Sequence, residues 1–151
     1  MTVDNKLHEY YVRPCKVRYL TFKIKRYWDA GPPMSFSDLG WSYEEKGRFR
    51  YMLQVTRLYA QFFRFDEHNG KLVVDLGCGA GIDSLEFARY GAHVISVDFS
   101  ESSNALTKLL YEEAGLHHIG HVVLCDARNL PFRDRCVDVI YPFWSHTSKG
   151  L

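Results

Sequence analysis

The chain has 151 residues, 46% of them hydrophobic, enough for one domain with a buried core and too few for a second full domain. Lysine and arginine number 19 against 18 aspartates and glutamates, a net charge of +1, so overall charge makes no case for a nucleic-acid or membrane partner. No apolar run approaches the ~20 residues of a bilayer span, and Met1–Lys6 carries no signal-peptide core. A soluble, cytoplasmic protein is expected. Cys15, Cys78, Cys125 and Cys136 are widely spaced without a C-x-x-C pair, which predicts free thiols in a reducing compartment and no metal site.

In chain order, Pro14 opens a pattern in which Val17, Leu20, Ile24, Tyr27 and Trp28 recur at helical spacing, predicting a helix over 14–28. Tyr10–Trp28 holds six basic residues and no acidic one. Its periodicity favours a solvated helix face over an anion-binding surface. Gly31-Pro32-Pro33 stops this helix. Ser42 and Glu45 then stand at capping-box spacing, and Met52, Val55, Tyr59, Phe62 and Phe63 give an apolar face, predicting a helix over 43–64. Beyond the turn at His68-Asn69-Gly70 the pattern alternates: strand 72–76, helix 82–90, strand 93–97, helix 102–114, strand 121–125, strand 137–141. Such alternation predicts an α/β domain with a Rossmann-like parallel sheet and flanking helices, because parallel neighbours need long crossovers. Gly91 and Gly115 fall where helix C-terminal caps belong. Residues 1–41 read as an N-terminal helical extension and 42–151 as the ligand-binding domain.

Asp75, Asp98 and Asp126 each sit at or just past a strand end. In a parallel sheet those ends share one edge, so the three acids should line one crevice. Asp98 lies 23 residues after Asp75, close to the offset at which a carboxylate takes adenosine ribose hydroxyls. Gly77, Gly79 and Gly81 form G-x-G-x-G, which lacks the last spacing of the dinucleotide fingerprint. Together these features point to an adenosine-containing ligand that needs no phosphate cradle. The plainer readings are a tight turn for the glycines and helix caps for Asp98 and Asp126.

The segments Val73–Gly81, Val94–Ser100, Cys125–Phe132 and Val137–Ile140 resemble, in order and spacing, the successive motifs of class I S-adenosylmethionine-dependent methyltransferases. Within that group the chain is similar to small-molecule enzymes with a ubiquinone/menaquinone-biosynthesis-type core. The resemblance implies S-adenosylmethionine as cofactor and a small-molecule methyl acceptor. It implies that Asp75, Leu76, Gly77, Cys78, Gly79 and Gly81 address the methionine part, with Asp75 near its ammonium. Asp98, Phe99 and Ser100 would address ribose and adenine, Asp126 and the Ala127 N–H the adenine edge, and Tyr141 would complete the site. No catalytic base is nominated, since methyl transfer mainly needs alignment and exclusion of water.

The family's sheet has seven strands and four are expected here, which predicts an exposed strand edge open to a second copy or a partner chain. Phe143–Ser148 also departs from the family's usual continuation in a way that a one-base deletion would restore, so an early-ended reading frame is expected. Two alternatives stand beside methyl transfer. One is a non-catalytic cofactor-binding fragment or partner subunit, and the other an NAD-dependent Rossmann oxidoreductase.

Overall fold

In a computed structural model, which describes residue 60 and residues 62–142, β1 (Leu72–Leu76) lies inside a four-stranded sheet. With β2 (His93–Asp98), β3 (Gly120–Leu124) and β4 (Val139–Tyr141) the order is β3-β2-β1-β4, and every pairing is parallel. The helix expected over 14–28 and most of that expected over 43–64 lie outside the described residues. Ala60, Phe62 and Phe63 are helical. That helix yields at Arg64, whose φ of 49° starts a 3-10 turn, Phe65–His68, ahead of the expected break at 68–70.

The two central strands are apolar because both of their faces are covered. On one face Val73 and Val94 join Leu85, Phe87 and Ala88 of α1 (Ile82–Arg89) and Tyr111 of α2 (Glu101–Glu113). On the other, Val74, Ile95, Val97 and Cys125 pack with Leu130, Phe132 and Val137 from the segment after β3. Phe87 anchors the helix side: its ring meets Phe65 edge-on at 4.5 Å and Tyr141 at 5.1 Å between centroids.

Element boundaries differ from the sequence expectation by a residue or two, with local causes. Ser100 accepts from the Ser103 N–H at 3.3 Å, so α2 starts at Glu101. The strand expected over 137–141 begins only at Val139, because the Asp138 carboxylate takes the Leu72 N–H at 2.8 Å while its own N–H donates to the Leu72 carbonyl. A side chain thus replaces one backbone rung. The cysteine expectation needs correcting: Cys78 and Cys136 are free, but Cys125 is engaged in a disulfide. Spacing along the chain does not register which sulfurs the fold brings together. Among the described residues no helix is long and apolar enough to cross a membrane.

Two faces of one sheet give a simple test. Phe87→Ala, at a position 1% exposed, should cost about 3–5 kcal/mol of stability. Ile140→Ala, at 57% exposure on β4, should change it by about 0.5 kcal/mol or less. Urea unfolding of both variants checks the ranking, and equal losses would mean the core is centred elsewhere.

Candidate functional site

β1 ends in a turn that is strapped down on three sides. The N–H groups of Gly77 and Cys78 both donate to the Val97 carbonyl, at 2.7 and 3.1 Å, drawing the loop across the end of β2. Gly79 N–H donates to Asp98 Oδ2 at 3.0 Å. Thr107 Oγ1 of α2 lies 3.0 Å from the Gly79 carbonyl. Gly81 then caps α1 at φ 73°, and a Cβ there would stand 2.4 Å from Thr107 Cγ2. Backbone conformation and space both require glycine at that point. Gly79 is different, because a Cβ on it would meet nothing within 4 Å.

The three acids fall on one sheet edge, at the ends of neighbouring strands. Asp75 is buried on β1 and accepts from Ser84 Oγ at 2.5 Å. Burial pushes its carboxyl up to about 7; the Ser84 hydroxyl opposes this, and the nearby Asp83 and Asp98 charges add to it. Asp98 accepts from Gly79 and, through Oδ1, from the Ser100 N–H at 2.9 Å. Its carboxylate therefore holds the glycine loop, while the helix cap that was the plainer alternative for it falls to Ser100. Asp126 does act as a cap: it accepts from the Arg128 N–H at 3.0 Å and opens a 3-10 turn, Ala127–Asn129. It also forms a two-pronged pair with the Arg128 guanidinium, Nη2 to Oδ2 at 2.7 Å and Nε to Oδ1 at 2.9 Å. Those bonds to Asp126 raise the Arg128 pKa.

The remaining expected residues divide. Leu76, Gly77, Cys78 and Phe99 are half-buried at the strand ends, and Ala127 is exposed beside Asp126. Burial, then the charges of Asp75 and Asp98, push the Cys78 thiol up, so it stays protonated and is no nucleophile. Ser100 is buried as a cap. Tyr141 does not open to the crevice; its ring sits in the aromatic cluster and its hydroxyl donates to Asp83 at 3.3 Å. Sequence reasoning missed Ser84, Asp83, Thr107 and Arg128. It also missed Ser96, although a serine inside Val94-Ile95-Ser96-Val97 is itself a signal of a buried polar contact.

This geometry, a glycine turn over a carboxylate-lined strand edge, is that of a methyltransferase domain. Residues 73–149 match the family described as "Methyltransferase domain", and the chain belongs to that family. It is 37% identical over 95 residues to a demethylmenaquinone methyltransferase of Thermobifida fusca (strain YX), covering 62% of this chain and 37% of that protein. It is 33% identical over 93 residues to a ubiquinone biosynthesis O-methyltransferase of Hahella chejuensis (strain KCTC 2396), covering 58% and 38%. The chain thus spans little more than a third of these relatives. Among solved structures, the [4+2]-cyclase SpnF is 29% identical with a TM-score of 0.51, over 58% of this chain and 32% of SpnF. A geranyl diphosphate C-methyltransferase from Streptomyces coelicolor A3(2), at 17% identity, shares the fold with a TM-score of 0.60, over 82% of this chain and 53% of that one.

Two measurements follow from this geometry. Gly81→Ala should destabilise the fold by about 1–3 kcal/mol through strain and the Thr107 contact, whereas Gly79→Ala should cost less stability and obstruct the crevice. For pH, an unfolded aspartate ionises near 4 and native Asp75 near 7, so the native state holds the extra proton between those values. Stability contributed by Asp75 is therefore lost as pH rises from about 4 to 7, by about 1.4 kcal/mol for each pKa unit separating the two states. Asp75→Asn should flatten that slope in urea titrations run across pH; an unaltered slope would deny Asp75 its raised pKa.

Proposed function

We propose that the chain binds S-adenosylmethionine in the crevice at the carboxyl ends of β1, β2 and β3 and belongs to an enzyme that methylates a small molecule. The observation that carries this reading is the set of strand-end acids, Asp75, Asp98 and Asp126, gathered around a glycine turn with room beside Gly79. A site rich in carboxylates suits a ligand with an ammonium and a sulfonium, and would repel a phosphate. S-adenosylmethionine supplies a methyl group already activated by positive sulfur. The protein's part is to bind and align it. Asp75 would face the ammonium, the backbone of Gly77–Gly79 the methionine part, Asp98 the ribose hydroxyls beside the loop it holds, and Phe99 the adenine ring. Asp126 and the Ala127 N–H would take the adenine edge, with the half-exposed Arg128 giving way.

The acceptor is proposed to be a small molecule, in keeping with the quinone-pathway names of the two relatives above. Ile140 is 57% exposed on β4, an edge that a second copy or a partner chain would cover. Residues 1–41 are proposed as an extension to the cofactor domain 42–151. A cytoplasmic setting accords with the free thiols of Cys78 and Cys136, and the Cys125 disulfide runs against it.

A second reading is cofactor binding without methyl transfer. The similarity to a protein described as a cyclase favours keeping it, since a fold does not fix its chemistry. Transfer of label from S-adenosylmethionine, assayed with and without candidate acceptors, separates the two. For binding itself, calorimetry should detect S-adenosylhomocysteine and not NAD. Asp98→Ala should weaken that binding by about 1–3 kcal/mol, the penalty for ribose hydroxyls left unpaired. Binding of NAD alone would overturn the cofactor, and an unchanged Kd in the variant would remove Asp98 from the site.

A further inference from the structure

Asp75 stands at the end of a buried chain of hydroxyls. Ser84 Oγ of α1 donates to Asp75 Oδ2 at 2.5 Å, Ser96 Oγ of β2 donates to Ser84 Oγ at 2.8 Å, and the Tyr111 hydroxyl of α2 lies 2.7 Å from Ser96 Oγ. Four elements contribute one group each, and none is more than 3% exposed. The chain has a direction. Each hydroxyl carries one proton; with Ser84 committed to Asp75 and Ser96 to Ser84, the last bond must be donated by Tyr111. Burial first of all raises the Tyr111 pKa, so the phenol keeps the proton it donates.

Running the chain backwards is costly. A protonated Asp75 that donates to Ser84 turns Ser84 toward Ser96 and Ser96 toward Tyr111. The phenol proton would then have to leave Ser96 and compete with the Asp75 proton for the oxygen of Ser84, in a core where the Tyr111 ring lies against the backbone at Gly120. A buried donor that loses its acceptor destabilises that state, so the hydroxyl chain favours the carboxylate over the carboxylic acid.

We infer that Ser84, Ser96 and Tyr111 are positioning residues, a one-way hydroxyl relay that orients Asp75 and favours its anionic form for the cationic α-amino end of the ligand. The inference rests on the reading of Asp75 as part of the cofactor site. The other described groups around Asp75 do not do this work. Asp83 of α1 and Asp98 of β2 push its pKa up by their charge. Cys78 of the loop and Tyr141 of β4 are themselves held protonated, chiefly by burial. Of these neighbours, only the serine at the end of the relay pulls the pKa down.

Tyr111→Phe cuts the relay at its far end and keeps the ring. Two readouts on the whole chain separate the relay from the cofactor reading: carbon NMR titration of the Asp75 carboxyl without ligand, and the Kd for S-adenosylhomocysteine by calorimetry from pH 5 to 9. The variant should move the Asp75 midpoint up by about one pH unit. The pH below which affinity falls should move with it, and affinity should return to the wild-type value at the alkaline end. Ser96→Ala, which interrupts the relay nearer the acid, should move the midpoint at least as far, and it serves if the tyrosine variant does not fold. An unmoved midpoint in a folded variant, or an equal loss of affinity at every pH, would overturn the relay and leave a packing role. A midpoint that moves while affinity does not would sever the relay from the ligand. If the wild-type chain binds no S-adenosylhomocysteine at any pH, the cofactor reading fails along with the ligand-directed part of the inference, and the ligand-free titration still decides whether the relay acts on Asp75.

Discussion

The Val97 carbonyl accepts two hydrogen bonds from the loop, from the N–H groups of Gly77 and Cys78. That single acceptor ends β1, folds the chain over the tip of β2 and aims the first turn of α1 back along the sheet. Everything chemical is near it. With β1 and β2 parallel and in register, Asp75 stands opposite Ser96, and across β4 it stands opposite Tyr141. Partners in a parallel register point to the same face, so the three side chains rise together under α1 and α2. Asp98, two residues beyond Ser96, follows on that face and reaches the glycine loop. A turn fixed at one carbonyl therefore sets which acids meet, which serine supports them and which helix covers them.

Much of this was legible because strands buried on both faces read as short, mainly apolar runs, and because the helices between them are closed by glycine. Leu72–Leu76 and His93–Asp98 carry that signature, and Gly91 and Gly115 close α1 and α2 at φ 87° and 68°. The acids at the strand ends were legible for the same reason: parallel topology alone puts them on one edge. β4 was the least readable strand. Its first rung is made by the Asp138 side chain, and a polar residue at a strand start looks the same in sequence whether it completes a ladder or merely precedes one.

What could not be read is the face on which each residue lands and the partner it finds there. The family resemblance puts Tyr141 in the site, but register with Asp75 turns it under α1, where Phe63, Phe65 and Phe87 enclose it. Ser84, Ser96 and Tyr111 lie on three different elements, so no spacing rule along the chain joins them. They meet only because α1 and α2 cross the same face of the sheet. Arg128 is the opposite case, two residues from Asp126 and so within plain view. Its guanidinium was hidden from the reading by a motif that assigns Asp126 to a ligand before asking what neutralises it.

The electrostatics of the edge give the arrangement its direction. Asp75, Asp83 and Asp98 are all buried within reach of one another, and among the described residues the charges that bear on Asp75 are those two like ones. Arg128 compensates Asp126, one strand-end further out. Like charges gathered in a place of low polarity raise each other's pKa, so the crevice lowers its own energy by holding a proton on Asp75. A cationic ligand arriving beside Asp75 removes the need for that proton, and its binding must then release one. Proton and ligand compete for the same charge. The hydroxyls behind Asp75 weaken the proton's side of that competition without touching the ligand, which is why a tyrosine at the far end of the relay belongs to the chemistry of the crevice it does not line.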